Sequence, residues 1–313
     1  MKCGLCGGTL ESFKTLHDDR YGYPGRFSLK VCGACGHKQL DASFSPEELR
    51  RMYTEYYPRA ALRLEEFNPS SERSGLGAWF DGVKSAAYRW VPRKVRVLDI
   101  GCGYGETLGY HLARGCDVYG VEADENIRKV ADHFGYNVHV GLFEPGIYQP
   151  GYFDYVTLDQ VIEHVSDPLK TLTDIATVLK PGGLLILATP NAGGWGAALF
   201  GKRWISWHTP YHLQLFSRES MSIAADKAGF SLGKTRTITS SDYLHMQWNH
   251  LFLRAAERDK SPFWSPGTGK TALHRKVMLA LHYLYRLKIN HLITRVFDAL
   301  NVGDNFLFIL RKK

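Results

Sequence analysis

The sequence predicts an α/β fold, a mostly parallel sheet with helices on both faces. Three observations carry this. Apolar runs of strand length alternate with helical stretches from Val95 onward. A glycine loop, Gly101-Cys102-Gly103-Tyr104-Gly105, directly follows one of those runs. Two C-x-x-C pairs, Cys3/Cys6 and Cys32/Cys35, stand in a short N-terminal stretch with little apolar content of its own.

In chain order, the cysteine pairs come first. They have 25 residues between Cys6 and Cys32, and a glycine follows each pair. Such spacing suits four thiolates closing a tetrahedral zinc site, structural because no position stays open. A disulfide pair and a redox C-x-x-C are the rival readings. The first residues are polar and glycine-rich, without a secretory pattern. A reducing, cytoplasmic setting is therefore expected, and Cys102 and Cys116 read as ordinary buried thiols. Ser45-Pro46-Glu47-Glu48 is a helix-start signal. Residues 46–57 and about 71–90 then read as helices. Tyr53, Tyr56 and Tyr57 either border the ligand pocket or pack on the next domain.

Val95–Ile100 reads as a buried strand with Asp99 near its end, and Glu106–Ala113 as a helix. Glycine lets the backbone approach a ligand closely, and the helix start offers free N–H groups. The G-x-G-x-G spacing lacks the third glycine of the dinucleotide fingerprint. Beside it, a carboxylate suits a cationic ligand group better than a pyrophosphate. The second strand, Cys116–Val121, ends at Glu122, 19 positions after Gly103, where an acid can reach ribose hydroxyls. Strands at Tyr136–Val140 and Phe153–Leu158 follow. A Pro181-Gly182-Gly183 turn then leads into a fifth strand that ends at Asn191.

The Val97–Thr107 segment resembles motif I of the class I S-adenosylmethionine (SAM) methyltransferases. The stretch from Phe153 to Pro168 and the Leu179-Lys180-Pro181-Gly182-Gly183 turn resemble the same family, in family order. The resemblance covers roughly Val95–Arg311 and implies a Rossmann-like sheet whose last strand, Asn305–Leu310, is antiparallel. It implies that Asp99, Gly101, Cys102, Gly103 and Gly105 hold the methionine moiety of SAM. Glu122, with Ala123 beside it, would take the ribose. Leu142 and Phe143 would flank the adenine, unless they are plain core. Asp159 and Gln160 would lie near the sulfonium. The cysteine-rich start is similar to bacterial methyltransferases with an N-terminal zinc ribbon that serve sugar, polysaccharide or antibiotic biosynthesis. The expected organisation is a ribbon at 1–42, a helical linker at 43–94, the SAM-binding core at 95–240, a basic helical insert at 241–304 and the last core strand at 305–313.

The acceptor site is expected in the segment 191–216, rich in glycine and aromatics and read as a lid. Histidine is the default base near neutral pH. The P-x-H-L phrase around His212 is family-like and favours that residue, with His208 and His164 as further candidates. Some quinone-biosynthesis O-methyltransferases place two acids and a histidine at the position of Glu163 and His164. Gln160 replaces the first acid here, so a metal there is not expected: two protein ligands are too few.

The chain carries +8, and residues 251–313 hold 12 Lys/Arg against 4 Asp/Glu, leaving 27 of each sign before them. Thr271–Leu300 has apolar residues at helical spacing with basic residues interleaved. It reads as a helical cap on the core or as a surface for an anionic membrane, hence peripheral to the inner face of the membrane. No apolar stretch reaches the ~20 residues needed to span a bilayer. The expected activity is methyl transfer to a small, nucleotide-sugar or lipid-linked glycan acceptor, most favourably a hydroxyl. RNA methylation using the ribbon and basic tail is the alternative, disfavoured because the ribbon is near neutral. A non-catalytic SAM or partner binder is the third reading.

Overall fold

The structure, a computed structural model, describes residues 1–57, 64–265 and 268–313. Residues 58–63 of the expected linker and 266–267 of the Ser261–Gly267 loop lie outside them.

The chain begins with an antiparallel meander, β1 (Leu10–His17), β2 (Arg26–Cys32) and β3 (Lys38–Leu40). Helix α1 (Pro46–Arg51) starts at the expected cap. The Ser45 hydroxyl accepts from the Glu48 N–H at 3.2 Å, and Glu48 accepts from the Ser45 N–H at 2.7 Å. The helix continues as a wider π turn over Met52–Tyr56. The helix expected over 71–90 is broken. Helix α2 (Gly75–Asp81) stops at Gly82, whose φ of +72° is left-handed, and two short 3₁₀ turns follow. A Cβ at Gly82 would lie 2.3 Å from the Thr239 carbonyl oxygen, so the chain must turn there on a glycine.

The central sheet follows the expected rhythm. Its first half is β4 (Arg96–Ile100), α3 (Glu106–Leu112), β5 (Asp117–Glu122), α4 (Ile127–Phe134) and β6 (Asn137–Val140). Then come β7 (Phe153–Asp159), α5 (Pro168–Val178) and β8 (Leu179–Pro190), which includes the Pro-Gly-Gly turn. Helix α6 (Trp195–Phe200), the short strand β9 (Gln214–Leu215), α7 (Arg218–Lys227) and β10 (Phe230–Thr237) come next. Three helices, α8 (Ser241–Leu253), α9 (Ala272–Arg286) and α10 (Ile289–Ala299), precede the last strand β11 (Asn305–Lys312). The strand order is β10-β11-β8-β7-β4-β5-β6, and β11 runs antiparallel to both neighbours. The chain leaves β4 toward β5 on one side and later fills β7 on the other. The crevice at the C-terminal ends of β4 and β7 is therefore the switch point where ligands bind in such sheets.

Two segments pack closely on the rest of the chain. The segment 191–216 is folded onto its neighbours. Trp204, Trp207, Tyr211 and Phe216 are buried, and its end forms β9, which pairs with β3. Side chains this large bury most of their surface when a packed alternative exists. The first 42 residues, in turn, pack directly on the methyltransferase core. Cys3, Leu5, Cys32 and Cys35 belong to the same apolar core as Leu158, Phe216 and Met221. Ser217 donates to the Cys35 carbonyl at 2.5 Å, and Lys227 to the Leu5 carbonyl at 2.5 Å. The ribbon is too small to bury its own apolar face and borrows the one beside it.

Candidate functional site

The glycine loop joins β4 to α3 with each of its three glycines left-handed. Gly101, Gly103 and Gly105 have φ of +74°, +58° and +89°. At Gly101 a Cβ would come within 2.4 Å of Val161, so glycine is required twice over. The loop therefore presents its backbone to the crevice. Asp99 below it is buried, and its carboxylate accepts from the hydroxyls of Thr157, at 2.6 Å, and Thr107. Burial holds this carboxyl up at about 6 against those hydrogen bonds. These two bonds tie Asp99 to α3 and to β7 and hold it under the loop.

Glu122 closes the other side. One oxygen accepts from the Gly103 N–H at 2.9 Å and the other from the Asp124 N–H at 2.8 Å, so it ties the loop to the end of β5. Ala123 is exposed beside it. The Cys102 side chain turns into the core beneath Gly120, where burial raises its thiol pKa, so only its backbone can reach a ligand. Leu142 is 76% exposed, which removes the plain-core reading for it, while Phe143 packs on the main core.

Asp159 ends β7 across the crevice. One of its oxygens accepts the Ala87 N–H at 3.0 Å. Burial, with the negative Asp99 nearby, raises its carboxyl to about 7. Gln160 sits at a left-handed φ of +58° and donates to Asn305 on β11 at 2.9 Å. Beyond them opens a cavity of about 410 Å³ between the 73–89 segment and helices α8 and α9.

The expected catalytic histidines lie elsewhere. None of His164, His208 and His212 is among the residues lining this cavity. They form a buried cluster with Tyr21, Tyr53, Tyr57 and Tyr211. Tyr53 and Tyr57 thus pack on the 208–211 segment, and Tyr56 packs on Tyr23. His212 donates from Nδ1 to the Ser206 carbonyl at 2.8 Å, and His164 from Nδ1 to the Tyr211 carbonyl at 3.0 Å. Burial keeps all three neutral, His164 down at about 4 and the other two well below their ordinary range. The structure thus sets His212, His208 and His164 apart from the residues that line this cavity. Their segment folds inward with its aromatics, away from the crevice mouth.

Among the described residues, two groups could hold a cation. Glu163, His164 and His212 offer donor atoms within 4.8 Å of one another, although Gln160 takes no part. The sequence shows only the first two; the fold brings in the third from the segment just before β9. At the N-terminus the four cysteine sulfurs lie within the same limit, with Cys3–Cys35 at 3.8 Å and Cys6–Cys32 at 3.4 Å. These separations are far beyond an S–S bond. They are near the ~3.8 Å edge of a tetrahedron with 2.3 Å metal–sulfur bonds, so zinc fits here. The Gly8 N–H points at the Cys6 sulfur at 3.4 Å, and a Cβ on Gly8 would strike Cys32.

Comparison with known proteins bears directly on this crevice. A methyltransferase-domain family model matches residues 46–234. The ubiquinone biosynthesis O-methyltransferase of Parvibaculum lavamentivorans is 35% identical over 49% of this chain and 66% of its own length. That of Ralstonia nicotianae is 33% identical over 52% of this chain and 70% of its own. A solved SAM-dependent methyltransferase from Archaeoglobus fulgidus is 20% identical, with a TM-score of 0.43, over 70% of this chain and 86% of that one. The glycine loop, Glu122 and the family match together place this chain among the SAM-dependent methyltransferases of the methyltransferase-domain family.

Proposed function

We propose that this chain O-methylates a hydroxyl of a polar, hydroxyl-rich acceptor, a sugar or glycan carried on a nucleotide or a lipid. The observation that carries this is the lining of the cavity beyond Asp159. Arg73, Arg89, Asp242 and Gln160 offer charged and amide groups, while Tyr88, Tyr243 and Tyr285 offer flat faces edged with hydroxyls. Sugars are gripped by that combination, polar groups for the hydroxyls and rings for the C–H faces.

SAM supplies the methyl group on a sulfonium, so the departing sulfur needs no acid. The protein must align an acceptor oxygen with that carbon and take its proton. Asp159 suits the second task. Its pKa near 7 matches the working range of a base, and one of its oxygens is fixed by Ala87 while the other is left to the crevice. Glu122 and the glycine loop fix the donor, and Gln160, tied to Asn305, fixes the rim of the acceptor site. The four cysteines would hold zinc as a structural staple, remote from the chemistry.

A second reading follows from the relatives, which are named for ubiquinone biosynthesis: a phenolic acceptor ring. The RNA alternative gains nothing from them. Incubation with labelled SAM and parallel panels of nucleotide sugars and catechols separates the readings. Label on a sugar is the expected result, and label on catechols alone overturns the sugar reading. Asp159→Asn should lower turnover by about a hundredfold or more. His212→Ala should stay within a few-fold of the parent, and the reverse ranking would return the base to the histidine cluster.

A further inference from the structure

Helix α10 is built inside out. The residues it buries are polar, Asn290, His291, Thr294 and Arg295, beside a partly buried Phe297 that stacks on Trp195. The residues it turns outward are apolar, with Leu292 60% exposed and Ile289, Val296 and Leu300 beside it along one stripe. The inner polar groups are partly satisfied. Arg295 pairs with Asp298 at 2.8 Å and donates to the Trp79 carbonyl at 2.7 Å, and the Thr294 hydroxyl meets that of Ser241 at 3.1 Å. The inversion is therefore a fixed feature of the packing.

Helix α9 continues the surface. Leu273, Leu279, Tyr283 and Leu287 are exposed, and Leu287 and Ile289 flank Lys288, where α9 turns into α10. A contiguous apolar face of this kind on a chain in water marks a contact surface. The charge around it says with what. Residues 260–297 contain no Asp or Glu, and Lys270, Arg275, Lys276 and Arg286 are exposed there. Among the described residues no helix is long and apolar enough to cross a membrane. Short helices with an apolar outer face and a predominantly basic rim fit the boundary of a bilayer, apolar side chains toward the acyl region and cations at the headgroups.

We propose that the α9–α10 face docks on an anionic phospholipid surface. The same pair of helices supplies Tyr285 to the cavity beyond Asp159, so docking would set the mouth of that cavity close to the headgroups. The inference rests on the inverted helix and its basic rim, and stands whichever acceptor is methylated.

The test is flotation of the full chain with vesicles of phosphatidylcholine alone and of phosphatidylcholine with 30% phosphatidylglycerol (an added composition of about 30%, chosen to give the surface potential of an anionic leaflet). Binding to the anionic vesicles only, weakening as salt rises, is expected. Leu287→Asp/Leu292→Asp should abolish it, and Arg275→Glu/Lys276→Glu should weaken it roughly tenfold or more. All these side chains are exposed, so SAM affinity measured by calorimetry should equal that of the parent, which shows that the variants are folded. Equal binding of parent and Leu287→Asp/Leu292→Asp, or no binding to anionic vesicles, overturns the proposal. So does a concentration-dependent dimer in sedimentation that Leu292→Asp makes monomeric, because the face would then belong to a second copy of the chain.

Discussion

At the scale of single residues, Glu122 has two duties that are easily confused. In the proposed role it would meet the ribose, and it also clamps the loop through the Gly103 N–H. Glu122→Ala removes both, and hydrogen bonds to a charged group are worth about 1.5–3 kcal/mol each, so SAM affinity should fall about ten- to a hundredfold or more. Glu122→Gln keeps an acceptor for one N–H and should lose less. Calorimetric titration of the two variants checks this, and equal affinity in parent and Glu122→Ala would remove Glu122 from the site. Both duties were half legible in the sequence. An acid at the end of the strand after a glycine loop is a local pattern with a known geometry. Its grip on Gly103 depends on side-chain direction, which spacing does not give. The histidines show the opposite case. His212 stands in a family-like phrase with His208 four residues before it, but their position depends on how the aromatics around them pack. No local pattern reports that.

At the scale of elements, the sheet was readable because its signals are local. Apolar runs, left-handed glycines and a helix start follow one another within a few residues at each turn. The pairing of β3 with β9 was not, because it joins Lys38–Leu40 to Gln214–Leu215 across most of the catalytic domain, and two-residue strands carry no periodicity. The inverted α10 was hidden for another reason. Periodicity locates an apolar stripe without saying which way it faces. The β3–β9 pairing has a measurable result. His37 bridges it, with Nε2 2.8 Å from the Gln214 side chain. Loss of metal from the four cysteines should therefore loosen the methyltransferase core as well as the meander. Chelation, or Cys6→Ser/Cys32→Ser, should lower the melting temperature of the whole chain in one transition. Structural zinc sites contribute on the order of several kcal/mol, so the shift should be well over 5 °C, roughly. Two separated transitions in calorimetry, the upper one unmoved, would show the ribbon to be an independent unit.

At the scale of the whole molecule, buried titratable groups of both signs set how stability depends on pH. Burial raises Asp159 and Asp304 to about 7 and Glu163 to about 8, above their values in an unfolded chain. The folded protein therefore holds more protons than the unfolded one from about pH 4 upward, and the stability it keeps in that range drains away as pH rises through about 7 to 8. Histidines act in the opposite direction. Burial lowers His37 and His164 to about 4 and His111 to about 3, with His208 and His212 also held down. Below about pH 6.5 the unfolded chain binds protons that these neutral rings refuse, and stability falls as pH falls. The two slopes meet between about pH 6 and 7, where the melting temperature of the ligand-free protein should peak. SAM changes only the alkaline arm. Its sulfonium favours the ionised form of the Asp159 carboxyl, so SAM should bind more tightly as pH rises from about 6 to 8. That gain should offset part of the stability lost there. Melting curves from pH 5 to 9 (about that span covers both sets of groups), with and without SAM, read both effects at once. In Asp159→Asn the SAM-dependent part should lose most of its slope. A melting temperature that climbs steadily across the range without SAM would mean that the buried acids are ionised at neutral pH, and Asp159 would then lack the proton balance its role as base requires.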